Sequence, residues 1–392
     1  MKKKNNRKII KSKNHIPFFR PQLLNEDKKA ILKTLDSSML TFGPVMEEFE
    51  KNFAKFTKSK YAIAVSNATS ALHLSLLSLG IGKGDEVLVP DLTFIATANA
   101  VLMTGATPVL IDVNLNDFQI NIDSIKKSIR KNTKAILPVH LYGKSCDMNN
   151  IKKLAKKNNL YIIEDCAHAI GTKYKNKHVG TFGDTGCFSF YPSKNITTFE
   201  GGMIITNSKK LSNNLRMSRN HGITRTLKDR YSKQYPWNYD IKEPGYNYRL
   251  DEIRSSLGIN QLKRINKINK SRQNSFKYYC KKLSNVDGIL LPSQLNLKEN
   301  ACHLFVISID KSKFGINRNR IHEKLLKKGI YTSIHYKPLH LFTLFKNKSK
   351  IYDGLKNSSK IYAELLSLPF YTSISKNEQD IVINELKKLS LN

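Results

Sequence analysis

From about residue 46 to residue 220 the chain alternates short apolar runs with helix-length segments. The runs are YAIAV (61–65), EVLVP (86–90), TPVLIDV (107–113), KAILPVH (134–140), LYIIE (160–164), CFSF (187–190) and GMIIT (202–206). Between most of them lie stretches of 3.6-residue period, such as TSALHLSLLSLG (69–80) and NIKKLAKKNN (150–159). Runs that stay apolar instead of alternating belong to strands covered on both faces. The pattern therefore predicts an α/β fold: a largely parallel sheet between two layers of helices. Right-handed crossovers would then bring the strand C-termini and their loops to one edge, where ligands bind. Only a loop separates CFSF from GMIIT, which predicts a hairpin-like pair there.

After residue 225 the texture changes. The segment 231–249 (YSKQYPWNYDIKEPGYNYR) is aromatic and turn-rich and reads as a long loop. A helical pattern over 251–283 follows, long enough to be a spine between domains. HLFVISID (303–310) reads as a strand, RIHEKLLKKGI (320–330) as a helix, and residues 377–390 as a last helix. Such a mixture suits a smaller α+β domain. The expected organisation is a basic disordered tail over 1–15, a large domain over 16–250, and a spine helix with a small C-terminal domain over 251–392. No internal repeat is visible.

Composition adds less than its extremes suggest. With 392 residues, 40% of them apolar, the chain supports a sizeable core and more than one domain, which excludes global disorder. The formal charge of +35 is compatible with nucleic acid, a membrane surface or a polyanionic substrate. Only 13 of the 66 basic residues are Arg, however, and the Lys are dispersed, as on solvated helix faces. Interleaved aromatic and basic motifs of nucleic-acid binders are missing, so no specific nucleic-acid partner is expected. The five Cys (146, 166, 187, 280, 302) form no CxxC pair, which argues against a disulfide framework or a metal site and for a reducing compartment, the cytoplasm. No run of eighteen apolar residues exists to span a membrane, and the basic start has no apolar stretch behind it as a signal peptide would.

Three places carry chemistry. Lys194, in CFSFYPSKNITTFEGG (187–202), follows an apolar strand and precedes a Gly-rich stretch. A Lys amine there can be desolvated, lose its proton easily and attack an aldehyde, although most Lys of such a chain are surface charges. Asp165 closes the run LYIIED at the expected ligand edge. It is either a turn or cap residue, or a carboxylate that keeps a heteroaromatic nitrogen protonated and the ring electron-poor. SNATSALHL (66–74) is a small-residue turn opening a helix, where free N–H groups and the helix dipole suit a phosphate as well as an ordinary cap. Ser189 could add a hydroxyl to that phosphate. A nucleophilic Lys, an Asp after a strand and a phosphate turn together describe a pyridoxal 5′-phosphate site.

The chain resembles the sugar aminotransferases of the DegT/DnrJ/EryC1/StrS family, which have the fold-type I architecture of pyridoxal-phosphate enzymes. The landmarks stand in family order: TFGPVMEEFE (41–50), SNATSALHLSL (66–76), VPDLTFIATANAV (89–101), PVLIDV (108–113), PVHLYGKSCDM (138–148), IIEDCAHAIG (162–171), FSFYPSKNITTFEGG (188–202), RNHGI (219–223), PGYNYRLDEIRSSLGINQLKR (244–264) and GIYTSIHYKPLH (329–340). The resemblance implies that Lys194 captures the cofactor aldehyde and shuttles protons, and that Asp165 pairs with the pyridine nitrogen. It further implies that His168 reaches the ring hydroxyl, that Ala68, Thr69 and Ser189 hold the phosphate, and that Phe94 lies over the ring. Asn247 matches a residue that reaches the neighbouring subunit's phosphate, which implies a homodimer. His335, Tyr336 and His340 match a C-terminal segment that either lines the substrate cleft or is structural. The implied reaction moves an amino group from an amino acid, L-glutamate by resemblance, to a nucleotide-linked keto-sugar, for surface polysaccharide or glycan assembly. Relatives usually have Gly at Ala68, Ala at Ser70, His at Tyr191 and Gly at Phe199; the last departure could reshape the loop behind Lys194. Rival readings are a cofactor-dependent sugar dehydratase, whose members carry His in place of Lys194, a non-catalytic cofactor-binding relative, and, from another class, a basic nucleic-acid-binding protein.

Overall fold

The computed structural model describes residues 15–224, 235 and 237–390. Nearly all of the basic tail, and residues 225–234 and 236 around the aromatic loop, lie outside the described residues.

The seven apolar runs become the strands of one sheet. In chain order the strands are β1 (Tyr61–Val65), β2 (Glu86–Pro90), β3 (Thr107–Ile111), β4 (Thr133–Ile136), β5 (Tyr161–Asp165), the short hairpin β6 (Lys173–Tyr174) and β7 (Lys177–His178), then β8 (Thr185–Ser189) and β9 (Gly202–Thr206). All but the hairpin form a sheet of order β1-β9-β8-β5-β4-β2-β3. Pairs β2–β3, β2–β4, β4–β5 and β5–β8 are parallel, whereas β9 runs antiparallel to both β8 and β1. The expected pairing of CFSF with GMIIT is this β8–β9 ladder, in which Ser189 faces Gly202.

Side chains within a strand divide between two cores, as a doubly covered sheet requires. The helices in chain order are α1 (Asn25–Leu35), α2 (Pro44–Thr57), α3 (Ala68–Ser78), α4 (Ala96–Met103), α5 (Ile122–Ser128), α6 (Met148–Lys157), α7 (Lys209–Ser218), α8 (Glu252–Lys263) and α9 (Ile265–Leu283). Ile63, Val65, Val87, Val89 and Ile204 pack with Leu72 and Leu76 of α3, Val101 of α4 and Leu215 of α7. Their neighbours Ala62, Ala64, Phe188 and Met203 turn the other way, onto Phe49 and Phe53 of α2 and Ile259 of α8. Leu88, Ile111, Ile136 and Ile162 meet Ile125 of α5 and Ile151 of α6. A second sheet of β10 (Ile289–Leu290), β11 (Phe305–Ile309) and β12 (Leu365–Leu368) is antiparallel. It shares a core with Phe276 and Tyr279 of α9 and with Val382 and Leu386 of the last helix, Lys376–Ser390.

Three elements differ from the sequence pattern. The run 134–140 is a strand only to Ile136, since Pro138 has no N–H to give and the chain turns through Leu141–Gly143 with Tyr142 left-handed at φ 58. The run 107–113 stops at Ile111, because Asp112 turns its carboxylate onto the Val113 and Ser358 N–H groups. The 251–283 helix breaks at Arg264, whose guanidinium is drawn aside onto Asp27 and the Gln22 carbonyl. Buried Glu252 at the start of α8 accepts from the N–H groups of Gly43, Val45 and Met46, which caps α2 with a carboxylate.

Candidate active site

Because β1, β5 and β8 are co-directional, their carboxyl ends deliver three groups to one edge of the sheet: the Ser66–Thr69 turn, Asp165 and Ser189. Lys194 follows β8 by five residues, in a turn where its N–H donates to the Tyr191 carbonyl at 2.9 Å. The amine is driven down to about 8 by burial, against the opposing pull of the Asp165 carboxylate. It is thus the sort of Lys that holds a reactive neutral form near physiological pH.

Asp165 is buried, and Thr97 Oγ1 donates to its Oδ2 at 2.9 Å while the Ala167 N–H donates to its Oδ1 at 3.0 Å. Burial pushes its proton affinity up; these two donors, Lys194 and His140 hold it back without cancelling the rise. Such a carboxylate is a strong acceptor for an N–H of a heteroaromatic ring. Thr97 was not singled out in the sequence. It lies three residues beyond Phe94, at the start of α4, so one turn carries both the Asp165 donor and the half-exposed Phe94 ring (52% exposed).

The Ser66–Thr69 turn opens α3. Asn67 caps α3, its Oδ1 accepting from the Ser70 N–H at 2.8 Å, and Ser66 and Ser70 hydroxyls meet at 2.9 Å. Ala68 and Thr69 are the first residues of the helix, so their N–H groups have no intrahelical acceptor. Relatives usually have Gly at Ala68, but its helical start requires no left-handed conformation, so Ala supplies the same N–H. Gly202, between β1 and Ser189, is what lets this turn come close. A Cβ on it would lie 2.5 Å from the Asn67 carbonyl carbon and 2.9 Å from the Ala68 nitrogen. Unpaired N–H groups, the Thr69 and Ser189 hydroxyls and a backbone cradle that excludes a side chain fit a phosphate.

His168 sits at this edge with both ring nitrogens engaged. The Tyr142 N–H donates to Nδ1 at 3.3 Å, and Nε2 is 3.0 Å from Tyr336 Oη. Burial, with Lys194 and His335, holds its ring well below the ordinary histidine range. A second histidine, His303, packs against it with ring centres 4.3 Å apart and tilted by 39°, and bonds through Nδ1 to Asn195 Oδ1 at 3.2 Å. Asn195 is fixed in turn by Asn269 Oδ1 and the Ala301 carbonyl, both at 2.8 Å. The sequence reading passed over His303 as the first residue of a strand; only the junction of its segment with the Lys194 turn reveals it.

The C-terminal segment divides. Tyr336 reaches the site, its ring 5.7 Å from Phe94. His335 bonds through Nδ1 to Ser367 Oγ at 2.9 Å, and burial lowers it to about 4. His340 is an anchor: its Nδ1 lies 2.6 Å from Asp91 Oδ2 and its N–H donates to Asp91 Oδ1 at 2.9 Å. Asn247 is exposed; its backbone pairs with Asn220, and no described residue bonds its side chain. Phe199 keeps the left-handed conformation (φ 63) that favours Gly, with its ring 45% exposed and its N–H on Thr197 Oγ1 at 3.0 Å.

Two other features do not compete for the chemistry. His140, Glu164 and Cys166 bring potential metal ligands within 4.8 Å of one another. Glu164 already accepts from the N–H groups of Gly180, Phe182 and Gly183 and bonds His140 Nε2, so its lone pairs are spent inside the core. A cavity of about 420 Å³ beside the β6–β7 hairpin, lined by Lys58, Lys173 and Lys177, contains none of the site groups.

The DegT/DnrJ/EryC1/StrS aminotransferase family model matches residues 21–387. The spore coat polysaccharide biosynthesis protein SpsC of Bacillus subtilis is 35% identical, over 97% of this chain and 99% of its own. The putative sugar aminotransferase Spr1654 of Streptococcus pneumoniae, in its PLP-form, superposes with a TM-score of 0.89 at 29% identity, covering 96% of this chain and 99% of its own. Helicobacter pylori PseC, an aminotransferase involved in pseudoaminic acid biosynthesis, gives 0.87 at 32% identity, over 96% and 100%. The chain belongs to the DegT/DnrJ/EryC1/StrS aminotransferase family, with its fold. Among the described residues no helix is long and apolar enough to cross a membrane.

Proposed function

We propose that this member of the DegT/DnrJ/EryC1/StrS aminotransferases moves an amino group from an amino acid, L-glutamate in our reading, to a nucleotide-linked keto-sugar. The products are the oxo acid of the donor and an amino-sugar for surface polysaccharide or glycan assembly. The observation that carries this reading is the pairing of a half-buried Lys194, its amine lowered to about 8 by desolvation, with a buried Asp165 at one sheet edge.

When bound, pyridoxal phosphate supplies an aldehyde and an electron-accepting ring. Ala68, Thr69 and Ser189 would hold its phosphate, Phe94 would lie against the ring, and Asp165, fixed by Thr97, would accept a hydrogen bond from the protonated ring nitrogen. Lys194 Nζ, neutral once its proton is lost, would be the nucleophile towards that aldehyde and would then move protons between donor and acceptor carbons. Asn247 completes the site of a neighbouring subunit, which makes the protein a homodimer; its exposed and unengaged side chain supports this. The net charge of +35 favours capture of the sugar's diphosphate. The same reading divides the chain at residue 250 into a cofactor-binding domain and a spine helix with a small domain, and places the protein in the cytoplasm, where five unpaired thiols stay reduced.

Incubation of the loaded protein with L-glutamate should convert the cofactor to its amine form. UDP-, GDP- or dTDP-linked keto-sugars, tested in turn, should convert it back and yield an amino-sugar by mass spectrometry. A glutamate half-reaction with no keto-sugar accepted would remove the sugar assignment; no half-reaction with any amino acid would remove the aminotransferase assignment.

A pH dependence follows from Lys194. Its amine is depressed, so it is mostly charged below pH 8 and mostly neutral above. The rate of cofactor capture by cofactor-free protein should rise about tenfold from pH 7 to pH 9 and level off, since a group titrating near 8 is ~10% neutral at the first and ~90% at the second. Stopped-flow absorbance would check this. A rate still climbing steeply towards pH 10 would mean an ordinary, solvated Lys.

A further inference from the structure

The cavity of about 420 Å³ beside the β6–β7 hairpin has the size of a small-molecule site, and it lies away from the edge that carries Lys194. Its walls include stretches that lead into strands of the main sheet: Lys58 stands three residues before β1, and Thr181 four before β8. The hairpin and the first turn of α9, with Asn266, complete it. The hairpin is a tight one. Lys175 and Asn176 at its tip are left-handed (φ 49 and 66), with Lys173 paired to His178 and Tyr174 to Lys177, which fixes where Lys173 stands. Buried His178 ties it to the body: its Nε2 accepts from the Gly171 N–H at 2.9 Å, and its ring meets Phe56 edge-on at 5.3 Å. Phe56 thereby forms an apolar wall of the cavity.

Lys58, Lys173 and Lys177 line this cavity, and no carboxylate does. Lys177 Nζ rests over the Phe182 ring at 4.9 Å. Among the described residues nothing bonds the ammonium groups of Lys58 and Lys173 or the amide of Asn266. Glu299, which reaches the hairpin tip, accepts from the Asn176 N–H at 2.8 Å and stays outside the lining. A cation just past the end of α2 complements the helix dipole, which gives Lys58 an ordinary role. That role does not extend to Lys173, which stands on a hairpin. Two ammonium groups on one cavity without a counter-charge repel each other, and an anion between them removes the repulsion. Coming from separate elements, and joined by an amide donor, they suit an anion with several oxygens and more than one charge. We propose that this cavity binds the diphosphate group of a small molecule, with Lys58, Lys173 and Asn266 donating to its oxygens. The inference is independent of the cofactor reading, since no group of that site lines the cavity.

The test is lysine footprinting of the full-length protein with an acetylating reagent, mapped by peptide mass spectrometry. It is run with inorganic pyrophosphate, with UDP, and with sulfate at matched ionic strength. An oxyanion against an ammonium group favours its charged, unreactive form, so pyrophosphate and UDP should each lower labelling of Lys58 and Lys173 about tenfold. Exposed Lys33 on α1 should be labelled as before. Stronger protection by UDP would place the base of a nucleotide against Phe56, and equal protection would assign the site to free diphosphate. In Lys58→Gln the pyrophosphate concentration that half-protects Lys173 should rise about tenfold, the effect of losing one charged hydrogen bond. Labelling that neither ligand changes, a half-protecting concentration unmoved in Lys58→Gln, or protection by sulfate equal to that by pyrophosphate, which would mean an adventitious ion only, would each overturn the inference. None of these results bears on capture of the cofactor at Lys194.

Discussion

Lys194→Ala should lower transamination by at least ~10³-fold, because in the proposed reaction one side chain is both the nucleophile and the proton carrier. The other reacting groups would remain. Asp165 keeps its bonds from Thr97 and Ala167, and the turn capped by Asn67 keeps its free N–H groups. The variant should therefore still bind pyridoxal phosphate, non-covalently, and be as resistant to heating as the wild type or slightly more so, since a desolvated amine is removed. Steady-state kcat, cofactor content and a thermal melt, measured on one preparation, separate lost chemistry from lost folding. Near-normal turnover in Lys194→Ala would contradict the assignment.

Asp165→Asn should lower kcat by about 10²–10³-fold, the size of effect seen when one preorganised electrostatic partner is removed from a site. The amide keeps the shape and an acceptor for Thr97 Oγ1, but it carries no negative charge to keep a ring nitrogen protonated. A second readout follows from the same change. Asp165 is the group that holds the Lys194 amine up against the desolvation of its site. Without it that amine should fall below 8, so the midpoint for cofactor capture should move to lower pH while turnover collapses. A structural disturbance at β5 would lower turnover without this displacement; an Asn variant with wild-type kcat would show that Asp165 does not act on the ring.

Much of this arrangement is legible in the sequence because it depends on local pattern. Seven runs apolar throughout gave the seven strands, and the bare loop between CFSF and GMIIT gave the antiparallel pair β8–β9. Parallel strands bring their ends to one edge by geometry, so Lys194, Asp165, Ser189 and the Ser66–Thr69 turn could be placed together before any contact was known. What escaped depends on long-range contact. At the break Arg264 bonds Asp27, more than two hundred residues away, and nothing in the periodicity of 251–283 marks it. His303 acquires its place from Asn195 and His168, on segments that touch only after folding. Gly143 allows that junction: left-handed at φ 92, it lies where a Cβ would come within 2.9 Å of the Cys302 nitrogen. The end of KAILPVH was misjudged for a local reason that Pro138 offered in advance.

The most direct test uses the abundance of the residue type in question. The chain has 53 lysines, and in the proposed reaction Lys194 is the one that takes the cofactor. Protein incubated with stoichiometric pyridoxal phosphate near pH 8, reduced with borohydride and mapped by peptide mass spectrometry should carry the added mass on the peptide containing Lys194. Modification spread over the exposed lysines, or absent altogether, would contradict it.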